Sequence, residues 1–581
     1  MLKFNKILLL TAVLFAFLTP VSGQNQTAQD FFNQGLGFLR AQKPAEALEA
    51  FRKSAQLDAK QPATHANIGV VLLALKRVPE SIASFREAIR LAPNEPNFRA
   101  GLCRSLSVSE KHAEALEQCE EAVRLGGASP EPYIALIAAL RAASREAEAA
   151  QKAETALQKF AEDEMLLNAS ADAFADTENF SRALEIYEKL ASLKPKNAYY
   201  QVKLAENYLR FERDADALAA ARKALETEPK HHLAYYYIGK IYFELGQHEE
   251  SAGAFQKSAE INPQFSEAFY FLGQSEARRD KYEKAITAFR QALAIEAQNF
   301  EYHNELGSAL SKASRYEESA MAMRKAVALK PKDFQANVGL GGALSESGQY
   351  EEAIKYLMIA DQLKPGNQIV NMFLNVARTR QQMAPRIGEM IAYAKENPQD
   401  INVRMHLIQN LTFGRRLEEA EPYFAEIWKL NPPDSRVYDI IGTLRSTTGN
   451  YEKAAEAYRK SLEFGQSPAA YLGLANVYAK NGQIEEAMKA YEKVFEIKPD
   501  TPNIMKLYAD FLRDNGRRRE ALEMYKRSLA QLPTNAPAIF NAGVLSAKLG
   551  DLAAARQYLE TLKTVDPQLA KILARCLKLG W

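Results

Sequence analysis

The sequence predicts an all-α solenoid of tandem antiparallel helix pairs, and three series of residues predict it. Prolines at 93, 195, 229, 263, 331 and 365 stand 34 residues or multiples of 34 apart, and Pro499, Pro533 and Pro567 repeat the interval. Gly239, Gly273, Gly307 and Gly341 keep the same period, as do the small residues Ala183, Ala217, Ser251, Ala285, Ser319 and Ala353. A period of 34 carrying two apolar helical segments is the signature of a helix-turn-helix solenoid.

In chain order, residues 1–23 read as an export signal. Lys3 and Lys6 give a positive start, Ile7 to Leu18 is an apolar run, Pro20 breaks it, and Val21-Ser22-Gly23 offers small residues for cleavage. The run falls short of the roughly 20 residues that cross a bilayer. The mature chain is therefore expected to begin at Gln24, to be exported to the periplasm or secreted, and to make no membrane insertion after signal removal.

Each repeat then has a physical logic, clearest in Ser266 to Asn299. Phe269, Leu272, Gly273 and Glu276 follow helical spacing on a first helix, a polar turn surrounds Asp280, and Ala285, Phe289, Ala292 and Ile295 share one face of a second. Gly273 and Ala285 let the two helices approach while Phe289 fills the space beside them. The closing proline stops the second helix. Each pair leaves an apolar face that only its neighbour covers.

With these residues in place, the chain resembles the tetratricopeptide repeat (TPR) family. Sixteen units laid end to end from Ala28 reach residue 569, the clearest being 474–500 and 272–295. The resemblance implies a right-handed superhelical solenoid that binds protein or peptide partners. It implies no particular partner, because one scaffold serves many.

Two repeats depart from the pattern. The unit at 130–163 has Ile137 at the small position; the unit at 368–400 has Asn375 there, lacks a turn glycine and is one residue short. The expected division is a signal at 1–23, a ten-repeat array at 24–367, a degenerate repeat and softer joint at 368–400, a five-repeat array at 401–569, and a capping helix at 570–581.

The chemistry-bearing residues give little sign of catalysis. Formal charge is +2, and without Lys3 and Lys6 basic and acidic residues balance, so the cationic field of a nucleic-acid binder is missing. Gly339-Leu340-Gly341-Gly342 lies inside a first helix and reads as close packing rather than a phosphate loop. His231-His232 lack partner ligands at helical spacing, and Arg415-Arg416 and Arg517-Arg518-Arg519 read as solvated turns. No catalytic, cofactor-binding or metal-binding residue is assigned, and no cofactor is expected. Cys103 and Cys119 take the small position and the Phe289-equivalent position of one repeat; they are either two buried thiols or a disulfide.

Function is therefore sought on the exposed surface. In the family, positions 2, 5, 9 and 12 of each unit line the concave groove. No unit shows the Lys and Asn at positions 5 and 9 with which chaperone-binding members hold a terminal carboxylate, and an asparagine ladder at position 6 is reduced to Asn33, Asn67 and Asn541. Aromatic residues stand out instead: Tyr199, Tyr236, Phe243 and Tyr270, with Lys240 and Gln274, fall at groove positions of consecutive units. Tyr208, Tyr235, Tyr242 and Phe269 fall at expected core positions. The reading is a non-enzymatic, exported scaffold that binds a peptide or protein segment in its concave groove. The alternative is an assembly or accessory subunit of a cell-envelope complex, in secretion, polysaccharide export or outer-membrane biogenesis, docking by its convex face or terminal repeats.

Overall fold

The computed structural model describes residues 27–414 and 416–578, and within them every element is an α-helix. The expected export signal at 1–23 lies outside the described residues, as do Arg415 and positions 579–581 of the expected cap. Fifteen of the sixteen predicted repeat starts coincide with the first residue of a helix, and the remaining one is displaced by a residue, to Glu131.

Helix starts are set by short polar side chains and by proline. Asp333 Oδ1 accepts from the Ala336 amide at 2.8 Å, and Asn299 accepts from the Tyr302 amide, satisfying donors that lack a partner within the helix. Pro62, Pro96, Pro468 and Pro502 open helices, where a missing N–H costs nothing.

The turn inside each pair needs one left-handed residue at a fixed position. Glycine supplies it at Gly246 and Gly348, and polar residues supply it at Asp280 (φ +57°) and Ser314 (φ +61°). Past that residue, the Lys281 amide reaches back to the Glu276 carbonyl at 2.9 Å, closing off the first helix.

Close packing within pairs has the expected cause. A Cβ on Gly273 would lie 2.6 Å from the Phe289 ring, so only glycine fits there. Where the facing small residue is serine, its hydroxyl donates across the contact, from Ser251 to the Gly239 carbonyl at 3.0 Å and from Ser319 to the Gly307 carbonyl at 2.7 Å. In the glycine-rich stretch, Gly341 lies against Leu357 and Gly339 against Met323, which is helix packing.

The chain forms two compact units, one ending at Glu212 and one beginning at Arg213. The first contains Cys103 and Cys119, both fully buried. They are joined by a disulfide between the helices Pro96–Val108 and His112–Leu125, with α-carbons 5.5 Å apart.

In the second unit the repeat at 368–400 differs from its neighbours in kind. Instead of a pair it is one helix, Gln368–Glu396. Gln382 occupies the position of the left-handed turn residue and stays helical, so the helix runs on through Pro385. Proline there removes one backbone hydrogen bond and crowds the preceding turn. The apolar core also changes hands along this helix, one cluster ending at Ala377 and the next beginning at Ile387. Between them Arg380, 7% exposed, pairs with Glu346 at 2.7 Å and lies over the Phe413 ring. Amides of residues 378–390 are expected to exchange with solvent faster than those of the helices Tyr350–Leu363 and Leu417–Leu430. Equal protection across all three segments, measured by mass spectrometry, refutes the joint.

The last helix, Pro567–Lys578, turns Ala570, Leu573 and Cys576 inward. Ala570 and Leu573 complete a cluster with Ile539, Val544 and Leu562, covering the apolar face that the sixteenth repeat leaves open.

Candidate functional site

Groove-position residues converge in the second compact unit, on two adjacent first helices, His232–Glu244 and Ser266–Arg278. Helical geometry sets Tyr236, Lys240 and Phe243 on one face of the first. Tyr270 and Gln274, four residues apart, share a face of the second, and the Gln274 amide donates to the Tyr270 hydroxyl at 2.9 Å.

The residue that joins them is Phe271, which the sequence reading passed over. Its ring lies 5.8 Å from Tyr236, 6.1 Å from Phe243, 5.2 Å from Tyr270 and 5.4 Å from the buried Phe255, with the Lys240 ammonium 4.4 Å from its centroid. Most of these contacts are edge-to-face, the arrangement that ring quadrupoles favour. The strip extends both ways. Tyr236 meets Phe265 at 5.1 Å and Phe265 meets His232 at 5.3 Å; at the other end Tyr270 stacks on Tyr302 at 4.9 Å.

Two expectations need correction. Tyr236 and Tyr270 are half-buried and pack on the core rings Phe255 and Phe289, so they carry structure as well as surface. Tyr208, Tyr235, Tyr242 and Phe269 are also half-buried rather than core residues. The core of the 232–265 repeat is instead Ala234, Gly239, Ile241 and Leu245 with Phe255. Tyr199 belongs to the first compact unit, where its ring meets Tyr200 edge-on at 5.6 Å and the Lys203 ammonium lies 6.0 Å away.

Polar groups border the strip. Glu305 is held above the usual carboxylate range by burial, against the pull of Arg278 and a hydrogen bond from Gln274. His248, edge-on to Phe243 at 5.5 Å, is pushed down to about 4 by burial and then by the guanidiniums of Arg278, Arg513 and Arg279. It is neutral at physiological pH. Burial also pushes the Tyr270 phenol up to about 12, with Glu305 and Glu301 adding to the effect.

Among the described residues no group of three or more His, Cys, Asp or Glu side chains could hold a metal ion. His231 and His232 stack on each other at 6.0 Å. Arg416 pairs with Glu419 at 2.6 Å and Arg517 with Glu520 at 2.7 Å, each within its own helix start. No described helix is long and apolar enough to cross a membrane. The arrangement offers apolar ring faces and edges with one ammonium, one amide and one carboxyl beside them, which suits recognition of a side chain or an extended segment.

Comparison with known proteins agrees with the repeat pattern. Models described as tetratricopeptide repeat match residues 32–96, 168–227, 202–264 and 304–367, and again 447–511 and 512–576. A model described as TPR repeat matches 273–314. The chain is similar to the BBSome complex member BBS4 of Bos taurus, 22% identical over 29% of this chain and 32% of that protein. It is also similar to the cytochrome c-type biogenesis protein CycH of Bradyrhizobium diazoefficiens, 28% identical over 18% of this chain and 30% of that one. These matches span about a third of each relative's length. Among solved structures, YrrB, described as a TPR protein with an unusual peptide-binding site, is 19% identical with a TM-score of 0.31, over 32% of this chain and 96% of its own. The APC/C hetero-tetramer Cut9-Hcn1 is 13% identical with a TM-score of 0.36, over 89% of this chain and 97% of its own.

Proposed function

The chain belongs to the tetratricopeptide repeat family, and on that footing we propose that it is an exported scaffold that binds an extended peptide or protein segment along the aromatic strip centred on Phe271. That it is a protein-interaction scaffold follows from the repeats themselves. The finer reading rests on one observation: three aromatic residues of two adjacent groove helices, Tyr236, Phe243 and Tyr270, pack with Lys240 around the Phe271 ring, which the core does not fully cover. Such rings supply most of the energy at peptide interfaces, and Lys240, Gln274 and Glu305 would fix register. Export is supported by the leader-like residues 1–23 and by the Cys103–Cys119 bridge, which suits an oxidising compartment.

Tyr236→Ala with Tyr270→Ala is expected to weaken capture of the native partner from envelope extract about thirtyfold, from a loss of about 2 kcal/mol. Because both rings also pack inward, the control is Tyr236→Phe with Tyr270→Phe, which keeps the rings and should bind within a few fold of wild type. Undiminished capture by the alanine pair refutes the aromatic strip and favours docking by the convex face or terminal repeats, as in an envelope assembly subunit.

A further inference from the structure

A terminal cap needs only to cover its own neighbour, yet the last helix reaches much further. Arg575 makes two hydrogen bonds to the Asp214 carboxylate, at 2.5 and 2.6 Å, and a third to Glu244 at 3.1 Å. The Asp214 side chain is 3% exposed and that of Arg575 is 14% exposed, so the pair is largely out of water. Cys576 is buried with its sulfur 3.8 Å from the Leu245 carbonyl. One helix pair earlier, Lys548 pairs with Glu250, and the Phe540 ring lies 3.9 Å from where a Cβ on Gly246 would stand. These contacts join positions 294 to 361 residues apart, all inside the second compact unit.

Leu245 registers the effect. It sits just past the end of its first helix, in the same register as Phe211 and Leu549, which are 40% and 38% exposed, whereas Leu245 is fully covered. Lys548 follows Phe540 on the last first-helix of the array, and Arg513 on the preceding first-helix adds to the field that pushes His248 down. Phe540 and Arg513 stand at positions 5 and 12 of their repeats, the register that a partner would read.

We propose that the helix Pro567–Lys578, together with Lys548 of the helix Ala536–Lys548, is a latch: Arg575 on Asp214 and Lys548 on Glu250 hold the last repeats against the 214–250 segment, so that the chain itself occupies their recognition side chains until the latch opens. The occupant is a segment of the same chain, chosen by charge complementarity and by the burial of Leu245. Charge pairs that lose water on closing bind strongly only when both partners are present, which makes the contact separable by single substitutions.

Cys576 is a native reporter, because its thiol is buried and pushed up to about 12 by that burial and is protected only while the latch is shut. Alkylation of full-length protein, with the label located by peptide mass spectrometry, is expected to be slow in wild type and at least tenfold faster in Arg575→Asp. It should fall back toward the wild-type rate in Arg575→Asp with Asp214→Arg, which restores the main pair although Glu244 then faces a carboxylate. Arg556→Glu, on an exposed residue of the preceding helix, should not change it. A zero-length carbodiimide cross-link between Lys548 and Glu250 in monomeric wild type tests closure without any substitution, and should be lost in Arg575→Asp. An unchanged labelling rate in Arg575→Asp, failure of the charge swap to restore protection, or absence of the cross-link in wild type each overturns the latch.

Discussion

Phe289→Ala is expected to lower the local stability of the helix pairs Ser266–Ile295 and Phe300–Leu329 by about 3–5 kcal/mol, among the largest effects of any single substitution in the second compact unit. Phe289 is fully buried and fills the gap that Gly273 opens, the ring lying where a glycine Cβ would intrude. It also touches a cluster of Ala285, Ile286, Leu306 and Leu310 from the same and the next repeat, and the Tyr270 ring at 6.0 Å. Two helices held by their own hydrogen bonds cannot collapse into the space of a lost ring, so both transfer and cavity terms apply. Stability in a solenoid is approximately a sum over nearest neighbours, and the loss should stay local. Amides of 266–329 are expected to exchange about a hundredfold faster or more, while those of 468–531 hold their rates. A change smaller than tenfold in 266–329, or an equal change in both segments, contradicts this account of the repeat.

The same packing explains what the sequence made legible. Helix starts, pair boundaries and the contact of Gly273 with Phe289 were readable because each answers a steric demand of the repeat, and a demand that recurs leaves a period. Features that do not recur left none. Phe271 occupies position 6, outside the groove positions 2, 5, 9 and 12, and became a hub only because Tyr236, Phe243 and Tyr270 surround it. The contact of Arg575 with Asp214 joins residues 361 positions apart, a separation that no local pattern encodes. The 368–400 repeat was visible as a defect, yet the consequence was not: without a left-handed residue near Gln382 there is nothing to end the first helix, and the pair fuses into one. Single-sequence patterning also placed Tyr208, Tyr235, Tyr242 and Phe269 in the core by position. A tyrosine whose polar tip seeks water settles for half-burial, as the Tyr208 hydroxyl does by donating to Glu188 at 2.8 Å.

Replacing Cys103 and Cys119 together by alanine is expected to cost about 3 kcal/mol, felt mainly in the helices Pro96–Val108 and His112–Leu125. The bridge closes a loop of sequence separation 16, and a cross-link of that span removes about this much freedom from the unfolded chain. Packing adds to it, because the two sulfurs fill the space between paired helices that glycine and phenylalanine fill in the 266–299 repeat, and alanine pairs leave part of it empty. Alanine is preferred to serine for the test, since two buried hydroxyls would bring a desolvation cost of their own. Hydrogen exchange should place the loss in residues 96–125. On protein purified from its native compartment, thiol titration in denaturant without reductant should find one reactive group, Cys576. Three reactive thiols would show that the bridge does not form in that compartment, and would remove with it one of the two supports for export. One thiol together with an undiminished stability of the alanine pair would show instead that the bridge forms but that the helices, not the cross-link, carry the fold of this repeat.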